Sequence, residues 1–475
     1  MTSTGAGDKL SPAIGNDQID SNYRPSTYKA GKLHHNFRLH HNLRLRPTIL
    51  HAIVWRIGRG LVLLYSVRCT INKIIYLEAI RGCASIIVVL AHFVAAFFPS
   101  AIFGSAYKSH ESWEILFATT PLSILFAGHF AVCLFFVLSG YILSLPYCGP
   151  EAKDSSGLMA AVIKRPVRLG GLVLVTVLVS LCITKLDGFY NGLASATSGS
   201  VPWLSHYFVD APPHTLQLLR DLSTSLFSVG HSYNPPLWTI EIELWGSFMT
   251  YSLLLLFRTS NLRYVAYALT AVFVVVAGGL YHGFIFGILI ADVSRSYPQW
   301  WSRMARPAVS VPLLLAGLAF ASFPNYVEKQ DVAHTIYSVL PWVGLKGGGY
   351  PMVGAVFFFL ATLWNPRLQN VLSGRIFEYV GRISFAVYAV HFLVLCSFSS
   401  WLFVKLIPQY SYSTNCAIVA VSYLLSTFII AHVLTCYVDE PTTKLANALA
   451  RLYRRSLCPA EAARVEFKGA TERKS

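Results

Sequence analysis

"YLEAIRGCASIIVVLAHFVAAFF", Tyr76 to Phe98, decides what kind of chain this is. As a helix rising 1.5 Å per residue it is about 34 Å long, enough to cross ~30 Å of hydrocarbon. It nevertheless carries Glu78, Arg81 and His92. Ionisable groups at that depth are costly, so their presence needs a partner or a function.

The rest of the 475-residue chain agrees with a membrane setting. It is 54% hydrophobic and 13% charged, whereas soluble domains carry about 25% charged residues. Span-length apolar runs favour helices over a barrel, whose strands are short and alternating. The runs predict an all-α polytopic protein of about ten transmembrane helices, at roughly 74–98, 124–146, 164–184, 237–257, 262–281, 283–295, 308–324, 350–365, 382–406 and 414–437. The fifth and sixth, either side of Gly278 and Gly279, also read as one broken unit.

With the N-terminus in the cytoplasm, 31 of the 38 Lys and Arg fall on the cytoplasmic side, 6 on the far side, and Arg81 within the first span. That bias follows the positive-inside rule and places both termini in the cytoplasm. It also accounts for the net charge of +16 without nucleic acid. The opening residues have no basic-then-apolar pattern, so a cleaved signal is not expected. Residues 1–48 read as a disordered basic arm on anionic lipid, in preference to a metal site built from His34, His35, His40 and His41. Residues 49–70, interrupted by Arg56 and Arg59, read as an interfacial amphipathic helix, 74–446 as the transmembrane domain and 447–475 as a cytoplasmic tail. Nine scattered cysteines show no metal or disulfide spacing.

The intramembrane groups carry the chemistry. Arg81 and His92 are eleven residues apart, which returns them to within ~20° of one helix face and separates them by ~16 Å. The plain alternative is an Arg81 paired with Glu78 at i,i+3 and a His92 satisfied in the core. "IKRPVRLGG" brings Lys164, Arg165 and Arg168 to the cytoplasmic edge, where guanidinium forks match phosphate oxygens. In "NPPLWTIEIELWGS", Glu241 and Glu243 diverge by about 200° around a helix, and Glu243 lies at a depth matching His92. A buried carboxylate needs a partner, and that imidazole is a candidate. Ser139-Gly140 in "FFVLSGYILS" suggests close helix packing. "HYFVD", His206 to Asp210, matches a His-x-x-x-Asp pattern but stands alone as a coincidence.

Six stretches taken in order are more specific: "YLEAIRG" with His92 at Arg-x10-His spacing, "FFVLSGYIL", "IKRPVRL", "PLWTIEIE", "GRISFAVYAVH" and "DEP". From Ile74 to about Ala446 the chain resembles the acyltransferase 3 family of membrane acyltransferases, and "LWTIEIELWGS" resembles its fungal branch. Glu241, more often neutral in the family, and Gly170-Gly171, where a proline is common, depart from the pattern. The resemblance implies transfer of an acyl group, often acetyl, from cytoplasmic acyl-CoA to a hydroxyl of a glycan, lipid or small molecule, with no metal. An alcohol is a poor nucleophile at pH 7, so a base is required. His92 takes that role, with Glu243 supporting it and Arg81, Lys164, Arg165 and Arg168 holding the CoA phosphates. A transporter using the Arg, His and Glu as a proton relay, or a silent membrane scaffold, are the competing classes.

Overall fold

The computed structural model describes residues 74–208, 227–228, 233–341 and 348–457. The basic arm, the 49–70 helix, the end of the tail, Asp210 of "HYFVD" and much of the far-side segment lie outside the described residues.

Helices dominate the described residues, and each of the ten expected segments contains one. They are α1 (Ile75–Phe97), α2 (Gly128–Ser144), α3 (Ser155–Lys185), α4 (Trp238–Phe257), α5 (Arg263–Val276), α6 (His282–Ser296), α7 (Pro307–Ala321), α8 (Gly349–Leu363), α9 (Arg375–Val394) and α10 (Tyr412–Leu434). An amphipathic α11 (Glu440–Leu457) follows and runs across the expected boundary at 446–447. Among the described residues six helices are long and apolar enough to cross a membrane, or seven if the bent pair Pro298–Met304 and Pro307–Ala321 forms one span. Helices α5 to α8 are 14 or 15 residues long, about 21 to 23 Å. Their apolar runs continue past the helix ends: α5 stops at Val276, and Gly278 takes a φ of 79° that begins the turn into α6. Arg263 Nε then meets Asp292 Oδ2 at 2.8 Å and ties the start of α5 to the end of α6.

Helix α3 begins nine residues before the expected 164, because Asp154 caps it by accepting the Gly157 N–H at 3.2 Å. Arg165 therefore lies well inside a 31-residue helix and is buried.

Two close approaches set the arrangement of the bundle. A Cβ on Gly82 would lie 2.7 Å from Gly381 N, and one on Gly381 2.5 Å from Glu78 O, so α1 and α9 meet backbone to backbone. A Cβ on Gly140 would lie 2.2 Å from Phe284 O, and one on Gly287 2.3 Å from Val137 O, so α2 and α6 do the same. Small residues at such contacts let dispersion act between main chains where no hydrophobic drive exists. Helix α2 sits centrally, touching α1, α4, α6 and α8. One apolar core surrounds it, and a second joins the end of α1 to α9 and α10.

Candidate active site

Near the end of α1, His92 Nδ1 lies 2.9 Å from Nε2 of His391 on α9. His391 is fully buried, and its Nδ1 is 2.7 Å from Tyr388 O and 3.2 Å from Val387 O. Carbonyl oxygens only accept, so Nδ1 of His391 carries the proton. With both rings neutral, His391 Nε2 is then a lone pair and must accept from His92 Nδ1–H. The consequence is directional: Nε2 of His92 is left with its lone pair, in a ring that is only partly buried. The ring is held flat against Trp203 at 5.9 Å and edge-on to Phe392 at 5.2 Å. A π-helical turn, Leu395–Ser399, follows His391 by four residues, a feature that accompanies functional sites in many proteins.

The second group of charges is closed on itself. Glu243 Oε1 accepts from Ser139 Oγ at 2.6 Å and from Arg165 Nη2. Arg165 Nε donates to Ser247 Oγ at 2.7 Å, and Ser247 Oγ donates to Glu243 O at 2.5 Å. This joins α2, α3 and α4. The expected contact between Glu243 and His92 is replaced: the carboxylate takes Arg165 and the imidazole takes His391. The reason is the early start of α3, which carries Arg165 into the bundle beside the carboxylate.

Thr239, one turn before Glu243, links the two groups. Its hydroxyl is 2.8 Å from the Tyr388 hydroxyl, which in turn lies 3.2 Å from Pro236 O. Asn234 Nδ2 donates to Ala389 O at 2.8 Å. The first turn of α4 is thereby fixed against the part of α9 that presents His391.

Arg81 pairs with Glu78 at 3.0 Å within α1. Because α1 is helical throughout, Arg81 and His92 are ~16 Å apart along its axis. Arg168 is within electrostatic reach of Arg165, Arg81, Asp439 and Glu78, and Lys164 of Arg168 and Arg165. The four expected cations therefore do gather, but with Glu78, Asp439 and Glu243 among them. Arg382 of α9 closes the set by meeting Glu440 at 2.6 Å.

The six motifs thus touch one another. "YLEAIRG" meets "GRISF" through Gly82 and Gly381, "FFVLSGYIL" and "IKRPVRL" meet "PLWTIEIE" through Ser139, Arg165 and Glu243, and "DEP" meets "GRISF" through Glu440 and Arg382. Residues 74–436 match the acyltransferase 3 family, described as an acyltransferase domain. The chain belongs to this family.

Three fungal proteins are similar to the chain over most of their length. Acyltransferase R4 of Phoma sp. is 24% identical, covering 69% of this chain and 84% of its own. Acyltransferase clz18 of Cochliobolus lunatus is 22% identical, covering 79% and 95%. O-acetyltransferase PaAT-1 of Phomopsis amygdali is 23% identical, covering 80% and 85%. No solved structure matches. This acyltransferase 3 member is a membrane protein and an enzyme that transfers acyl groups. His391 was missed as a site residue although it ends "GRISFAVYAVH" and is a lone imidazole in an apolar run. Trp203 carries no comparable signal, because only the fold brings it to the ring.

Proposed function

We propose that the protein moves an acyl group, acetyl in the simplest case, from cytoplasmic acyl-CoA to a hydroxyl of a glycan, lipid or small-molecule acceptor, with His92 as general base. The observation that carries this is the hydrogen-bond chain from His92 through His391 to the Tyr388 carbonyl, which leaves His92 Nε2 able to take a proton. As the hydroxyl oxygen attacks the thioester carbon, its proton passes to Nε2. A C–O bond forms, the C–S bond breaks, and the CoA sulfur leaves and recovers that proton. His391 acts as a positioning residue. It holds the tautomer and orientation of His92, as outer partners do for many functional imidazoles.

Arg81, Lys164 and Arg168 are assigned to the CoA phosphates near the cytoplasmic surface, and the ~16 Å from Arg81 to His92 suits an extended pantetheine arm. Arg165, occupied by Glu243, supports that surface from behind, and Glu243 acts on His92 only through the scaffold. The name of the Phomopsis relative, an O-acetyltransferase, supports oxygen as the acceptor atom. Ten crossings with both termini cytoplasmic complete the reading, and single-cysteine labelling of the far-side loops from the cytoplasm would overturn that topology. The enzymatic test is purified full-length protein with radiolabelled acetyl-CoA and candidate acceptors. Transfer of label supports the assignment, and acceptor-independent solute flux without transfer overturns it.

A further inference from the structure

A second group of nucleophilic and basic side chains lies where α9 meets the junction of α10 and α11, and the transfer to an alcohol does not use it. Cys436 Sγ is 3.8 Å from Nε2 of His432, one turn earlier in the chain. His432 Nδ1 lies 3.0 Å from the hydroxyl of Tyr379 on α9, and the two rings sit 5.9 Å apart. Arg382, three residues after Tyr379, faces the same sulfur from Nη2 at 4.0 Å. Glu440 fixes that guanidinium by accepting from its Nε at 2.8 Å. A thiol, an imidazole and a phenol are thereby placed in a line, with a guanidinium at the sulfur end.

The order is that of an activated nucleophile: a thiol, a base, and a third group that orients the base. Spacing at i,i+4 puts His432 and Cys436 on one helix face. A π-helical turn, Thr435–Asp439, begins between them, and such turns are frequent at functional sites. A tyrosine hydroxyl both donates and accepts, so it can take the Nδ1–H of His432 and leave Nε2 as a lone pair toward the S–H. Reactive cysteines are partly exposed, whereas inert ones are sealed in the core. Cys436 is half-buried, as are His432, Tyr379 and Arg382. Among the described cysteines it alone has an imidazole and a guanidinium at its sulfur: Cys133, Cys148, Cys396 and Cys416 are buried, and Cys182 is exposed without such partners.

We infer that Cys436 is a site of S-acylation, a thiol that takes an acyl group from an acyl thioester with His432 as its base and Tyr379 as the residue that positions the base. Only the choice of a thioester as donor rests on the acyl-transfer reading above. His432 Nε2 takes the S–H proton as Sγ attacks the thioester carbon. A C–S bond forms on Cys436, the donor's C–S bond breaks, and the departing thiol recovers the proton from His432. One thioester replaces another, so the step needs no oxidant and no water. The position agrees with this donor. Asp439, three residues after Cys436, is within electrostatic reach of Arg168, and Gly381, next to Arg382, packs on Gly82, next to Arg81. The thiol therefore lies at the end of the bundle where the cations gather.

The test uses full-length protein in nanodiscs, labelled acetyl-CoA, and peptide mass spectrometry to locate the label. A hydroxylamine-labile acetyl group is expected on Cys436 and is expected to be absent from Cys436→Ala. His432→Gln keeps a hydrogen bond to Tyr379 but cannot take a proton, so it should slow acetylation of Cys436 by about tenfold or more. Tyr379→Phe should slow it by less, and His92→Asn should leave it unchanged. A second measurement, alkylation of Cys436 by N-ethylmaleimide relative to Cys182 in the same molecules, should fall in parallel in His432→Gln, whereas a loosened fold would raise it. Equal rates in wild type and His432→Gln overturn the assignment, and loss of label in His92→Asn overturns His432 as the base. Acetylation of an alcohol with no label on Cys436 overturns this inference alone. Failure to bind acetyl-CoA at all overturns the acyl-transfer reading, and the donor chosen here with it.

Discussion

Two groups of ionisable side chains lie inside the same apolar bundle, and they are built on opposite principles. Around Glu243, the carboxylate, guanidinium and hydroxyls of Ser139, Arg165 and Ser247 bond to one another and join three helices. Around His92, a hydrogen-bond chain leads from His92 to His391 and on to a carbonyl, and the Nε2 lone pair of His92 stands outside that chain. A closed set of charges stabilises a fold; a one-way chain leaves an atom available for chemistry. Polarity inside an apolar bundle does not separate these cases, because both groups have it. The inventory of partners does.

The largest expected effect breaks the comparison on the histidine side. His92→Asn keeps a hydrogen-bonding side chain but cannot take a proton near pH 7, so turnover should fall by roughly 10² to 10⁴ with acyl-CoA binding and thermal stability close to wild type. An active His92→Asn enzyme would erase the distinction between the groups. Removing one partner on the other side should do the reverse. Arg165→Ala leaves a buried carboxylate unpaired and should cost about 3 to 5 kcal/mol of stability, read as a lower Tm and poor yield, while Arg165→Met with Glu243→Leu recovers most of it. If Arg165→Ala folds normally and loses only CoA affinity, the guanidinium belongs to the donor site after all.

A smaller effect sharpens the border between the two. Arg168, among the cations but without the Glu243 contact, should on change to Ala lose about 1.5 to 3 kcal/mol of acyl-CoA binding, ten- to a hundredfold in Kd, with Lys rescuing in part because it lacks the fork. Titration calorimetry with a non-hydrolysable acyl-CoA measures it, and an unchanged Kd would return Arg168 to simple anchoring. The smallest effect concerns the residue that allows Arg165 to reach Glu243. Asp154→Ala should cost about 0.5 to 2 kcal/mol through the lost cap of α3. The Ser156 hydroxyl and the Gly157 N–H hold the Asp154 carboxyl below its usual range, so this contribution is present above the unfolded carboxyl's pKa and is lost as pH falls through the folded one. A pH series of Tm, wild type against Asp154→Ala, should converge at acid pH.

Much of this protein is determined by its sequence alone. Apolar runs of span length require helices in a bilayer, because each backbone group must be satisfied within its own segment, and all ten expected segments contain one. Family membership was legible from six short motifs, and His92 stood out as an imidazole in an apolar run, where an ionisable group is costly. Helix ends were less legible. Hydropathy does not record that Asp154 caps α3 early or that Gly278 turns after α5, since both are local backbone events. Pairings were not legible at all. Glu243 was expected beside His92, with Arg165 at the cytoplasmic edge, and the pairing of Glu243 with Arg165 instead depends on where α3 begins and how α2, α3 and α4 pack. His391 lies 299 residues from His92 in the chain, and Trp203 arrives from a different segment. The packing of α1 along α9, backbone to backbone at Gly82 and Gly381, brings the two imidazoles to hydrogen-bond distance, because contacts between distant segments are set by how helix surfaces fit and not by the composition of either helix.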